Sequence, residues 1–300
     1  MKVIRPDEVS ARDFYGYMTD AVVPRPIAFV SSMSASGKVN LSPFSFFNAV
    51  SSQPPMMIFS PVNSMRDGST KNTLDNVHEH PEVVINIVNY ALVQQMSLTS
   101  TAYEKGVNEF VKSGLTEVPS EMVKPPRVGE SPVAFECSVR QVLPLGKGGG
   151  AGNLVICEVL LVHVNEDVLG DNGRIDPNCL DAIGRMGGSL YCRAHGEAVF
   201  DMPRPGQHLG VGVDQLPEAI RMSTVLSGSD LAQLASVSCI PDKTITQQHA
   251  DDATIQAALL RYEQDVERSP EIMHWAAKNL LTEGETEKAW AALLSVPLEQ

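Results

Sequence analysis

From residue 27 to residue 164 the chain is a series of short runs rich in Val, Ile, Phe and Met, each closed by glycine, proline or small polar residues. That rhythm restricts the fold more than any other feature. Residues 27–32 form a compact apolar run after two prolines, and Ser34-Ala35-Ser36-Gly37-Lys38 reads as a hairpin loop. Residues 40–48 resume the pattern, and residues 56–60 follow Pro54-Pro55. Residues 83–88 are a strand by their density of β-branched side chains. Residues 134–143 and 154–164 are longer runs of the same kind. Between them only residues 70–80 have helical spacing, with Leu74 and Val77 on one face and Pro81 as the stop. Many short strands with so few helices predict a mainly β, α+β fold closed into a barrel, in place of repeated βαβ units.

After Pro205 the texture changes. Pro217 lies early in a helix start at residues 215–220, and Ser229 reads as the N-cap of a helix carrying Leu231. Ile255, Leu259, Tyr262 and Val266 share one helical stripe, and residues 271–281 and 285–296 repeat the texture, with Ile272, Trp275, Ala276 and Leu280 on a second stripe. The expected organisation is a domain at residues 1–205 and a helical C-terminal extension at 206–300. Burying such stripes is worth about 1.5–3 kcal/mol per large side chain. The extension is therefore expected to dock on the barrel or on a partner subunit.

Composition sets the outer limits. With 300 residues, 43% of them apolar and 20% charged, the chain has enough apolar material for a large core, which excludes disorder. The excess of 36 acidic over 23 basic residues gives a net charge of −13, which repels phosphate backbones and anionic membrane surfaces. Neither nucleic acid nor membrane is expected as a partner. No apolar run nears the roughly 18 residues of a membrane helix, and the first residues lack a signal-like core, so a cytoplasmic location is expected. The five cysteines contain no C-x-x-C pair and read as free thiols of a reducing compartment. His78 and His80 are two apart, on different helix faces, and no metal site is expected.

The glycine cluster at residues 146–152 precedes a strand, not a helix, and carries no Lys-Ser/Thr pair, so it reads as a mobile hairpin loop and not as a phosphate loop. No G-x-S-x-G elbow anchors a hydrolase triad. One constellation stands out. Ser42, Ser45 and Asn48 interleave with Phe44, Phe46 and Phe47, and such a segment offers backbone amides and small donors to the edge of a flat heteroaromatic ring. Ser60 at a strand end and Lys71 and Thr73 near a helix start can hold a terminal phosphate. The alternative is a serine-rich loop, core phenylalanines and a surface lysine.

The segment R-P-I-A-F-V-S-S from Arg25, the run N-L-S-P-F-S-F-F-N-A-V-S-S-Q-P-P from Asn40 and the later K-N-T-L-x-N from Lys71 resemble the flavin reductase-like, FMN-binding split-barrel family, that of flavoredoxin and its relatives. The similarity continues through T-S-T-A-Y-E-K-G-V-N-E-F from Thr99, P-P-R-V from Pro125, S-P-V-A-F-E-C from Ser131 and G-R-M-G-G from Gly184 with Tyr191. The resemblance implies a split β-barrel homodimer with FMN near the subunit interface, FAD being the alternative flavin and NAD(P)H, NADH included, a co-substrate. It places Arg25, Ser42, Pro43, Phe44, Ser45, Phe46 and Asn48 around the isoalloxazine, and Ser60, Lys71, Asn72 and Thr73 towards the phosphate. The Tyr103–Phe110 segment is expected over or beside the flavin, as the segment that crosses from the partner subunit. Tyr103, Glu109, Arg185 and His195 are the polar candidates for catalysis. The implied activity is that of an NAD(P)H:flavin reductase, with a monooxygenase as the partner supplied with reduced flavin. An FMN enzyme acting on a small organic substrate and a flavin-binding electron carrier are the alternatives. Where many relatives carry a histidine before the last long strand and a glycine within it, this chain has Asn153 and Cys157.

Overall fold

The computed structural model describes residues 1–202, 209–265, 267 and 269–298. The chain divides into two compact units, Met1–Phe200 and Asp201–Gln300. The boundary expected at 205/206 lies outside the described residues.

The first unit contains, in chain order, α1 (Ala11–Ala21), β1 (Ala28–Met33), β2 (Val39–Phe44), β3 (Phe47–Ser52), β4 (Pro55–Phe59), α2 (Asn72–Glu79) and β5 (Glu82–Ile87). There follow α3 (Val93–Leu98), α4 (Glu109–Ser113), β6 (Glu117–Val118), β7 (Arg127–Val128), β8 (Val133–Pro144) and β9 (Asn153–Val164). It closes with α5 (Pro177–Leu180), β10 (Ile183–Arg185) and β11 (Tyr191–Arg193). Seven strands pair in the order β2-β1-β5-β8-β9-β4-β3, every pair antiparallel. Laid flat, such a sheet would hold its edge strands roughly 29 Å apart. Yet β2 and β3 are joined through Ser45 and Phe46 alone, a link that reaches at most about 11 Å. The sheet must curl until its edges approach, which is the split barrel that the strand rhythm and the resemblance predict. Two register shifts in the β8–β9 pairing, at Glu136/Cys137 and Val139/Gln141, bend these long strands where the curl demands it.

The alternation of side chains puts Ala28 and Val30 of β1 with Phe44, Phe59, Ile85, Cys137, Val155 and Cys157 in one cluster. Phe29, one residue out of phase, joins Ile27, Leu41, Met96, Phe110 and Val128 on the other face. β1 is therefore buried on both sides. The residue 40–48 run is not one strand: it breaks at Ser45 and Phe46, and the break is the corner of the barrel. The glycine cluster is the β8–β9 hairpin loop, as expected. It is pinned to the chain after β4, with Gly150 N–H donating to Asn63 O (3.0 Å) and Asn63 N–H to Ala151 O (2.9 Å). Helix α1 is absent from the sequence expectations, although Ser10 caps it by accepting from Asp13 N–H at 3.0 Å.

The second unit is helical: α6 (Glu218–Arg221), α7 (Gly228–Leu234), α8 (Thr244–Gln248), α9 (Ala253–Gln264), α10 (Glu271–Thr282) and α11 (Thr286–Leu294). The N-cap of α7 is Ser227 and not Ser229. Its hydroxyl accepts from Asp230 N–H while the Asp230 carboxylate accepts from Ser227 N–H, a reciprocal box that Ser229 cannot build from inside the helix. The apolar stripes find partners within the unit. Ile255, Ala276 and Leu280 are buried with Leu234, Met273 and Trp290, while Leu259, Tyr262 and Ile272 pack at the edge. Trp275 is 55% exposed, because α10 turns Met273, Ala277 and Leu281 inward as well and the stripe is rotated from the expected one. Val266 lies outside the described residues.

Candidate functional site: a groove along the barrel corner

The corner between β2 and β3, the start of α2 and the loop after α3 enclose a continuous groove with three compartments of about 210, 180 and 520 Å³. The first two share Ser42, Lys71 and Ser100; the second and third share Tyr15, Pro43, Ser45 and Ser100.

At the first end, α2 begins at Asn72 with Lys71 as an N-cap residue that makes no side-chain capping bond. The first-turn N–H groups of a helix lack helical partners; here Leu74 N–H turns back to Lys71 O at 2.8 Å, and those of Asn72 and Thr73 are left to an outside acceptor. Lys71 is exposed and lines the compartment with Asn72 and the buried Thr73, whose hydroxyl accepts from Asn40 Nδ2 at 2.9 Å. Arg66, Ser64, Ser69 and Thr70 also line it, residues the sequence expectations do not include; the Ser69 and Thr70 hydroxyls donate to the Asp67 and Asp75 carboxylates at 2.7 and 2.8 Å. Arg66 is loosely paired with Asp67 at 3.4 Å. Lys71, Arg66 and the open helix start make an anion-binding end.

Tyr103 and Glu109 reach the same compartment. Glu109 is the first residue of α4, capped by Asn108, whose side chain accepts from Phe110 N–H. The residue is only 4% exposed, and its carboxylate accepts from Leu41 N–H at 2.9 Å. Burial pushes this carboxyl above the usual range, partly offset by the Leu41 N–H. Phe110 is buried in the chain's own core. The end of the Tyr103–Phe110 segment is thus anchored on β2 of the same chain.

The middle compartment is lined by Ser42, Pro43, Phe44, Ser45, Phe46, Ser60 and Lys71. Ser60 donates its N–H to Phe46 O at 2.9 Å, which ties the end of β4 to the corner. Phe46 meets Tyr15 of α1 edge to face, ring centroids 6.1 Å apart. Phe44 leans on Phe59 at 5.4 Å in the barrel core. Asn48 stands apart: it is exposed on β3 and its side chain accepts from Ala49 N–H.

The third compartment lies between α1 and the β10–β11 hairpin. Arg25 lines it, but its guanidinium is buried and donates to the carbonyls of Thr19 and Val22 at the end of α1 and to Met186 O. Arg185 donates to Tyr191 Oη and, at 2.6 Å, to Gly188 O, and its guanidinium covers the Tyr191 ring at 4.7 Å. Candidate His195 is exposed beyond β11 and lines none of the three compartments. Arg12 and Tyr15 are among the lining residues the sequence expectations lack; the pair Ser10 and Asp13, a capping pattern, is the signal that marks their helix. Asn153 is buried behind the groove, its amide donating to Pro61 O and Asn63 Oδ1, and Cys157 lies in the barrel core, its thiol pushed up to about 12 by burial.

The family described as flavin reductase like domain matches residues 19–181. An uncharacterized protein of Halalkalibacterium halodurans is 37% identical over 204 residues, covering 67% of this chain and 96% of that protein. Among solved structures, nitrilotriacetate monooxygenase component B from Bacillus cereus is similar at 32% identity and a TM-score of 0.63, covering 67% of this chain and 98% of that one. The 2-nitrobenzoate 2-nitroreductase of Pseudomonas fluorescens is similar at 26% identity and a TM-score of 0.59, covering 67% and 96%. Each relative is matched almost end to end, while a third of this chain lies outside the match.

Proposed function

The chain belongs to the flavin reductase-like family, and from that premise we propose that its groove holds FMN and that it uses NAD(P)H to reduce flavin. The observation that carries this reading is the order of chemistry along one groove. An uncapped helix start with Lys71 lies at one end, the serine-rich corner in the middle and a roomy compartment at the other end.

FMN, when bound, supplies the capacity to take up two electrons and pass them on. The protein's part is placement. Lys71, with the open N–H groups of α2, meets a phosphate by charge and direction together. Ser42 and Ser45 offer small donors beside the backbone of the corner, and Phe46, fixed by Tyr15, walls it. Tyr103 and Glu109 stand at the phosphate end and so act in binding, not at a reacting atom. Arg185 stands at the far end, where a second substrate enters.

FMN is preferred to FAD on the resemblance, its terminal phosphate taken by Lys71 and the start of α2. The working form is taken to be a cytoplasmic homodimer, residues 1–205 its flavin domain and 206–300 a helical domain. A monooxygenase receiving reduced flavin is the fitting partner, in keeping with the likeness to a monooxygenase component B. A second reading, FMN retained and electrons passed to a small organic acceptor, is favoured by the size of the third compartment and by the likeness to a nitroreductase. The test is to mix the protein with FMN and NADH without oxygen. Rapid bleaching of excess flavin supports the reductase, whereas bleaching of one equivalent that returns on adding a nitroaromatic supports the second reading. No bound flavin at all removes both. Light scattering of the FMN-loaded protein is expected to give twice the chain mass.

A further inference from the structure

We infer that the third compartment is an anion subsite: it takes the negatively charged group of the second substrate, held by Arg12 and Arg185. The inference rests on the flavin reading for what lies next to it, and on this chain's own arginines for its chemistry. Three arginines, Arg12, Arg25 and Arg185, line one cavity of about 520 Å³, with Asp20 as the lining carboxylate. That local excess of positive charge runs against a chain that carries −13. Among the described residues none of the three arginines is paired with a carboxylate. Arg25 is only 6% exposed, its terminal nitrogens are spent on backbone carbonyls, and its Nε–H, fully buried, has no acceptor. It contributes charge from beneath the cavity.

Arg185 is held at a fixed angle by Tyr191 Oη and Gly188 O and by the Tyr191 ring beneath its plane. A guanidinium has five donors, and these contacts use two, so it is pre-oriented with donors to spare. Arg12 faces the same space from the exposed side of α1. Two guanidinium groups from different elements suit the oxygens of a carboxylate or phosphate, which they bind through charge-assisted, often bidentate bonds. The compartment adjoins the middle of the groove through Ser45 and Pro43, so a planar molecule anchored by its anionic end would lay its remaining part towards the corner. Two sources carry this chemistry: an organic acceptor with a carboxylate, or the diphosphate of a nicotinamide dinucleotide.

The experiment uses the full chain loaded with FMN at low ionic strength, titrated by calorimetry and by the change in the flavin absorption band. The probes are benzoate, its neutral analogue benzamide, and ADP-ribose. Benzoate is expected to bind at least about tenfold tighter than benzamide, the size of one charge-assisted contact. Arg12→Gln and Arg185→Gln should each erode that preference without weakening benzamide. If Arg185→Gln disturbs the β10–β11 hairpin, Arg12→Gln, on an exposed helix face, carries the test alone. Displacement of benzoate by ADP-ribose, lost in the same variants, assigns the arginines to the dinucleotide; binding of benzoate alone assigns them to an acceptor carboxylate. Equal affinity for benzoate and benzamide together with no binding of ADP-ribose overturns the inference, as does a preference that survives both substitutions. FMN absorbance is read in every sample: a protein that holds no flavin fails the flavin reading, whereas a flavin-loaded protein without anion preference fails only this one.

Discussion

Lys71 and Glu109 face the same compartment with opposite histories. Lys71 is exposed at an uncapped helix start, so its replacement costs the fold little and the ligand much. Lys71→Ala should weaken FMN roughly 10- to 100-fold, the worth of a charge-assisted bond, and leave riboflavin, which lacks the phosphate, unchanged. Fluorescence titration of both flavins reads this, and equal losses would detach Lys71 from the phosphate. Glu109 is buried, and its carboxyl is shifted above the ordinary value by the loss of solvent. The folded chain therefore holds this proton more tightly than the unfolded chain does. The stability it contributes is complete below the usual carboxylate pKa of about 4.3 and is lost as pH rises through the raised value in the folded state. Glu109→Gln keeps an acceptor for Leu41 N–H and removes the titration. Its stability relative to the parent should rise between pH 4 and pH 7, read as urea midpoints at the two ends. A difference independent of pH would mean that Glu109 keeps an ordinary carboxyl.

Elements differ in how openly the sequence announces them. The strand from residue 83, the 154–164 run and α2 are read correctly because their periodicity is local. Helix α1 carries Ser10 and Asp13 in capping positions, yet its apolar residues are sparse, and Tyr15, Tyr17 and Met18 remain exposed. Without a continuous apolar stripe, periodicity gives no sign of it. At α7 the error is one of register: Ser227 and Ser229 are both credible caps, and the choice falls on Ser227 because Asp230 is three residues further on. Ser227→Ala should cost about 1 kcal/mol, and Ser229→Ala much less. Thermal melts of the two variants give this comparison directly. Losses of the same size would remove the capping box as the reason.

For the whole molecule the decisive fact is that each unit has core packing of its own. The first unit packs both faces of β1, one against β5, β8 and β9 and the other against Met96 of α3 and Phe110 of α4, while the second packs α7, α9, α10 and α11 together. Trp290 is fully buried in the second and donates to Leu234 O at 3.1 Å. A unit that closes its own core is expected to fold without other support. Residues 201–300 expressed alone should therefore give a helical circular dichroism spectrum and cooperative unfolding. Trp290→Ala should remove about 3–5 kcal/mol, most of what a domain of that size has to lose. In the full chain the same substitution should leave FMN affinity unchanged. A noncooperative fragment, or an FMN affinity that falls with Trp290, would show that the two units depend on each other.

By itself the sequence determined the longer strands, the barrel class, the helical character of the last third and, through an ordered set of motifs, the family; it also named most of the residues from Ser42 to Thr73 that line the groove. These depend on local periodicity, turn chemistry and contiguous residues, all visible without coordinates. Tertiary structure decided that residues 40–48 break into two strands at the barrel corner, because only curling lets so short a link join the two edges of the sheet. It decided that Asn48 and His195 stand outside the groove and that Arg25 is consumed by the end of α1. It also brought Arg12 and Arg185, 173 positions apart in the sequence, to one cavity. Such a meeting leaves no trace in any local pattern, since it depends on where a helix and a hairpin pack against the same sheet.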